Sequence, residues 1–86
     1  MRAHFHRNFE RRYEKLRAGE KQKLKERLNI FLQDEFDPIL NNHPLQGKYQ
    51  GYRSINVTGD LRTLYKKINK DTAVFVVIDT HSNLYK

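Results

Sequence analysis

Apolar residues recur at helical spacing as far as Phe36 and at strand spacing from Tyr52 onward, and this change of period happens once. Phe5, Phe9, Tyr13 and Leu16 follow one another at steps of 4, 4 and 3, which puts them on one helix face. Leu24, Leu28, Phe31, Leu32 and Phe36 make a second stripe, interleaved with Lys, Gln, Glu, Arg and Asn, so the opposite side faces water. Gly19 between them suits a helix stop, because glycine tolerates the left-handed conformation that follows a helix end. A helical hairpin over about residues 6–17 and 20–35 is predicted, closed by Pro38, which disfavours helical geometry at Asp37. Residues 2–5 are too short to assign alone; they either start a helix or form an edge strand.

Residues 37–51 carry two prolines, two glycines and paired asparagines and read as a loop. Tyr52–Val57 alternates, Thr58-Gly59-Asp60 is a tight-turn signal, and Leu61–Ile68 is the returning strand. Asn69-Lys70-Asp71 turns again into Thr72–Ile78, which is apolar on both faces and so belongs in the middle of a sheet. Asp79–Lys86 is a short polar tail. The expected fold is a single α+β domain over residues 1–86. It is a two-helix hairpin packed on one face of a small, mostly antiparallel sheet, the other face being free. An N-terminal strand beside the long apolar one would make that sheet four-stranded.

Charge narrows the function. Seventeen Lys and Arg against ten Asp and Glu leave +7, and a small basic domain favours a nucleic acid, an anionic membrane surface or an acidic protein. Seven of the ten acidic residues precede residue 44, so the strand half is the more one-signed. No run of 18 apolar residues exists to span a membrane, and the N-terminus lacks the apolar core of a secretory signal. With no cysteine, disulfide frameworks, cysteine–zinc sites and thiol catalysis are excluded. A cytoplasmic location is expected.

Among the titratable residues, His4 and His6 straddle Phe5 and read as surface polar groups; two histidines alone do not make a metal site. A more informative set is His43, Asp60, Arg62, His81 and Tyr85, which a meander gathers at one end of a sheet. These types suit RNA cleavage without a metal. The reaction needs a base for the 2′-OH proton, an acid for the leaving 5′-oxygen and a cation on the crowded phosphate. Histidine titrates in the right range, arginine offers a planar fork, and tyrosine stacks or hydrogen-bonds. A plainer reading also fits, with Asp60 as turn former and Tyr85 as an aromatic at the core edge.

The stretch NHPLQGKYQGYRSINVTGDLRTLYK, residues 42–66, together with the ending DTHSNLYK, resembles the signature of the RelE/ParE toxin superfamily. It is most similar to the YafQ-like mRNA interferase branch, where HPL-x-G-x(3)-GYR leads into a strand and a D-x-x-x-x-YK hairpin. The resemblance spans essentially the whole chain. It implies helices on a four-stranded sheet with the first strand beside the last. It implies a type II toxin neutralised by a cognate antitoxin, entering the ribosomal A site and cutting mRNA there by 2′-OH attack with no cofactor or metal. Carried over residue by residue, His43 and His81 become acid and base candidates, His81 foremost. Asp60 matches the aspartate after the first hairpin strand. Tyr85 falls on the terminal aromatic, and Arg62 resembles the arginine before the apolar–Tyr step in RelE. Lys48, Arg53, Lys66 and Lys67 are assigned to RNA or ribosome backbone contacts. Two positions depart from the branch: Asn56 stands in place of a further histidine, and Leu61 in place of a tryptophan, which removes a stacking surface. Alternatives on the same fold are a ParE-type gyrase inhibitor and an inactive member that only binds its antitoxin. Alternation puts Arg62 on one face with Leu64 and Ile68, which read as core, so either Arg62 sits at the sheet end or a bulge intervenes.

Overall fold

In the computed structural model, residues 1–85 are described. The elements in chain order are β1 (Arg2–Phe5), α1 (Arg7–Glu14), α2 (Ala18–Gln33), β2 (His43–Pro44), β3 (Arg53–Asn56), β4 (Leu61–Asn69), β5 (Thr72–Thr80) and α3 (His81–Leu84). Helix ends follow local chemistry. His6 caps α1, its Nδ1 accepting from the Asn8 N–H at 3.0 Å. The Arg17 N–H donates to the Glu20 carboxylate at 2.9 Å, so α2 starts at Ala18. Gly19, expected as a stop, therefore lies in the first turn of α2 rather than after α1.

The sheet order is β1-β5-β4-β3-β2, with β1 parallel to β5 and the other pairs antiparallel. Residues 2–5 are thus a strand beside the long apolar one, as the edge-strand alternative held. The fifth strand corrects the expected four. His43 and Pro44 pair with Ser54 and Arg53 inside the segment read as loop, and two residues are too few to show a period.

Phe75 on β5 is the meeting point of the helix-side core. Its ring centroid lies 5.9 Å from Phe5, 6.1 Å from Phe9, 5.1 Å from Phe31 and 5.2 Å from Tyr65. One side chain therefore joins β1, α1, α2 and β4. A second tie is polar. The buried Tyr65 hydroxyl donates to the Glu35 carboxylate and accepts from the Asn42 amide, which also donates to the Glu35 carbonyl. The Asn42 side-chain oxygen in turn accepts from Arg53 Nε at 2.7 Å. Burial, reinforced by the Glu35 carboxylate, pushes the Tyr65 phenol well above its ordinary range, so it stays a donor.

The far face of the sheet is not free, contrary to expectation. Leu45, Leu64 and Leu84 form a second buried cluster there, flanked by Tyr49, Tyr52 and Val77. The reason is β5 itself, apolar on both faces, which needs cover on both. The chain from Leu45 to Tyr52 crosses that face on two glycines in the left-handed region, Gly47 at φ 67° and Gly51 at φ 94°. The polar tail folds as α3, capped by the Thr80 hydroxyl, and delivers Leu84 to the same cluster. Register shifts between Leu64 and Tyr65: Leu64 pairs with Val77 but Tyr65 with Phe75, leaving Val76 as a bulge.

Because four elements meet on one ring, Phe75→Ala is expected to destabilise the fold by about 3–5 kcal/mol. Denaturant unfolding with an unchanged m-value would check it. A loss near 1 kcal/mol would show that the elements hold together without that ring.

Candidate active site

Strand alternation sorts the candidate residues onto two faces. Directly paired residues share a face of an antiparallel sheet. His43, Ser54, Leu64 and Val77 therefore form one row on the far face, and Asn56, Arg62 and Asp79 the next. The rows lie roughly 7 Å apart along the strands. The β3–β4 turn and the start of α3 close this end, where the His81 N–H donates to the Asp60 carbonyl at 2.8 Å. Asp60 and His81 are both exposed. Tyr85 caps α3 one turn on, its ring centroid 4.8 Å from that of His81. Register, turn and cap thus bring Asp60, Arg62, His81 and Tyr85 to one end of the sheet, with His43 one row away on the same face.

Each imidazole or cation has a defined local setting. The His43 Nδ1 lies 2.8 Å from the Asn41 carbonyl. A carbonyl only accepts, so Nδ1 carries the proton in the neutral ring and Nε2 keeps its lone pair. Asn41 itself is left-handed, φ 48°, and the neighbouring Asn42 is held by Glu35, Tyr65 and Arg53, so the residues before His43 are fixed from the helix side. Arg62 Nη1 donates to the Thr58 carbonyl at 2.9 Å and to the Leu61 carbonyl at 3.2 Å, which anchors the guanidinium at the hairpin end. This settles the parity problem. Arg62 does share a face with Leu64, but that face is the far one, and Ile68 is 65% exposed rather than core.

Asp79, opposite Arg62, does not neutralise it. Its Oδ1 accepts instead from Arg12 Nη2 at 2.9 Å, the Thr80 N–H at 2.8 Å and the Asn83 amide at 3.0 Å. Partial burial works to raise the carboxyl, but the Asn83 and Thr80 hydrogen bonds and the Arg12 guanidinium outweigh it. Asp79 therefore titrates below its ordinary value of 3.8. Arg12 so diverts the carboxylate, and among the described residues no carboxylate pairs with Arg62.

The four expected RNA-contact cations divide. Lys48 and Lys66 are exposed on the far face, their Nζ atoms 5.2 Å from the Tyr49 ring and 5.8 Å from the Tyr52 ring. Arg53 and Lys67 belong to the helix side. Arg53 bonds Asn42 and covers the Phe36 ring, and Lys67 Nζ meets the Glu35 carboxylate at 3.1 Å. The odd-even spacing that separates Lys66 from Lys67 is readable in the sequence; which parity meets the helices is not. Sequence reasoning also missed Tyr49 and Tyr52, whose spacing in a glycine-rich stretch carries no period, and Asp79, whose value here lies in the partners it takes.

Of the two departures, Asn56 stands in the Arg62 row with its Oδ1 buried and unpartnered among the described residues. Leu61 is 4% exposed in the helix-side core, so this position presents no surface for stacking.

Residues 1–86 match the family of YafQ, bacterial toxin of type II toxin–antitoxin systems, and the chain belongs to that family. Its structure is similar to that of YafQ from E. coli, with 22% identity, full coverage of both chains and a TM-score of 0.78. It is similar to a YoeB/ParE toxin from Agrobacterium tumefaciens at 19% identity, covering 94% of this chain and 99% of that one, with a TM-score of 0.78. It is also similar to a chain of the E. coli DinJ–YafQ toxin–antitoxin complex at 25% identity, covering 98% and 96%, with a TM-score of 0.70. No curated protein matches the chain.

Two outcomes are expected. Asp79→Asn melts below wild type at pH 6, and the gap narrows as pH falls below about 3.8, because a carboxylate with a depressed folded pKa stabilises only above that window. A gap independent of pH would show that charge on Asp79 does not matter. If the chain cuts mRNA as its resemblance implies, Arg62→Ala lowers the rate by about 10²–10³-fold and Lys67→Ala by little; equal losses would make Arg62 an ordinary surface charge.

Proposed function

We propose that this toxin is an endoribonuclease that cuts mRNA in the ribosomal A site without a metal or other cofactor. The observation that supports this reading is that register, turn and cap bring His43, Arg62, His81 and Tyr85 to one face and end of the sheet, with Asp60 in the adjoining turn and with no carboxylate paired to Arg62 among the described residues. His43 Nε2, with its lone pair free, takes the 2′-OH proton. The 2′-oxygen attacks the adjacent phosphorus, and the bond from phosphorus to the 5′-oxygen breaks. His81 in its protonated form gives its proton to that leaving oxygen, and a 2′,3′-cyclic phosphate remains. Arg62 lies against the phosphate where charge accumulates, with Nε and Nη2 of its fork available to oxygen. Tyr85, its ring tilted against that of His81, holds the imidazole against the RNA. Asp60 supplies a carboxylate beside His81 that orients the ring once substrate is bound. Lys48 and Lys66 contact RNA or ribosome backbone.

The partner that restrains this activity is a cognate antitoxin, as in the DinJ–YafQ complex of E. coli and the YoeB–YefM complex of Staphylococcus aureus. The setting is cytoplasmic, where ribosomes are, and residues 1–86 act as one unit. No helix of the described residues is long and apolar enough to cross a membrane.

Asn56 favours a second reading, an inactive chain that only binds antitoxin, because an amide in the Arg62 row cannot transfer a proton. One assay separates the two: a defined mRNA on programmed ribosomes, with 5′ ends mapped for wild type and His81→Ala. Wild type is expected to cut within the A-site codon, and the variant to be slower by about 10²–10⁴-fold. No cutting by folded wild type would leave the antitoxin-binding reading.

A further inference from the structure

A cavity of about 310 Å³ opens on the far face beside the candidate active site, lined by His6, Asn8, Lys48, Tyr49, Tyr52, Val76 and Val77. Its floor exists because of the β-bulge, which leaves both Val76 and Val77 on this side. Its walls are Tyr49 and Tyr52, nearly perpendicular to each other at 84° with centroids 6.4 Å apart. Val77 is two residues from Asp79, so the floor lies roughly 7 Å along β5 from the Arg62 row. Its size falls at the lower end of small-ligand pockets, ~300–1,000 Å³.

We infer that this cavity is a stacking subsite for one base of single-stranded RNA, next to the nucleotide at the scissile phosphate; the inference rests on the ribonuclease reading above. Three observations point to a base. The walls are aromatic and the floor apolar, which suits a flat ring and not a phosphate. The rim carries Lys48, with Lys66 over Tyr52 just beyond, and these cations suit the phosphates on either side of that base. The polar groups at the mouth suit a base edge. His6 Nδ1 already accepts from Asn8, so its Nε2 is the nitrogen left to donate, and the Asn8 amide offers a donor and an acceptor.

Energetics allow the exchange. A base stacked on an aromatic ring is held more strongly than a lysine lying over an exposed ring. Lys48 and Lys66 are exposed, so each can yield its ring face to a base and move to a phosphate. Of the aromatics on this side of the sheet, Tyr49 and Tyr52 line the cavity, whereas Tyr85 stands beside His81.

Tyr49 separates stacking from packing. Tyr49→Leu keeps apolar cover for the Leu45, Leu64 and Leu84 cluster but has no π face. Tyr49→Trp keeps the π face and introduces a single tryptophan into a chain that has none. On programmed ribosomes, Tyr49→Leu is expected to lower kcat/KM by about 5- to 150-fold, mainly through KM, with thermal melting unchanged, while Tyr49→Trp stays within about threefold of wild type. The indole fluorescence of the Tyr49→Trp variant is expected to be quenched by a short single-stranded RNA and not by the same backbone with abasic residues. Equal losses in the two variants, or wild-type cleavage by Tyr49→Leu with no base-dependent quenching, would overturn the subsite. Intact cleavage with weakened antitoxin binding would overturn it too and assign the cavity to the protein partner. If wild type cuts no mRNA while RNA bases still quench the introduced indole, the nuclease reading falls and the subsite stands.

Discussion

Burial of Phe75 is the contact on which the arrangement depends. β1 is four residues long, too short to hold itself in place, and it sits parallel to β5 because Phe5 stacks on Phe75 while its backbone pairs with Thr72–Phe75. Phe9, one turn into α1, follows Phe5 onto the same ring, and Phe31 brings α2 down from above. Tyr65 then fixes β4 against that group from the neighbouring strand. Aromatic pairs of this kind contribute about 0.5–1.5 kcal/mol each beyond the area they bury, and here several share one member. Helix hairpin, parallel edge strand and antiparallel hairpin are thereby one cooperative unit.

Tyr65 carries that order across to the candidate site. Its ring belongs to the apolar core and its hydroxyl to a polar chain through Glu35 and Asn42 to Arg53. Every member is satisfied, and a satisfied buried network is rigid where a partly satisfied one is costly. Asn42 precedes His43, so the backbone that aims this imidazole is set by contacts on the opposite side of the sheet. Arg53 and Lys67 are members or neighbours of that network, which explains why two of the four expected RNA-contact cations are engaged away from the face of Arg62.

On the far face the division of labour is electrostatic. The cross-strand neighbour of Arg62 is a carboxylate, and a direct pair would have cancelled the charge. Arg12 from α1 and Asn83 from α3 take that carboxylate instead. Which cation holds Asp79 therefore decides whether the Arg62 guanidinium is paired with its cross-strand neighbour. The covering loop from Leu45 to Tyr52 adds aromatics and Lys48 to the same face, so charge and stacking groups lie together on the side the two main helices leave uncovered.

Local periodicity carried much of the fold. The two helices and the β3–β4–β5 meander are legible because 3.6- and 2-residue repeats depend only on neighbours in the chain, and the HPLQG…GYR and THSNLY blocks carry the family likeness for the same reason. Position within the sheet was legible for β5 and for β1 beside it, but other features were not. The two-residue β2, the cover over the far face and the bulge at Val76 come from partners on other elements, about ten to forty residues away. The sequence by itself determined which residues alternate, and so that Lys66 and Lys67 must part. Only the tertiary structure decided which parity meets the helices, because that choice belongs to Phe75, Tyr65 and the apolar surface they bury together.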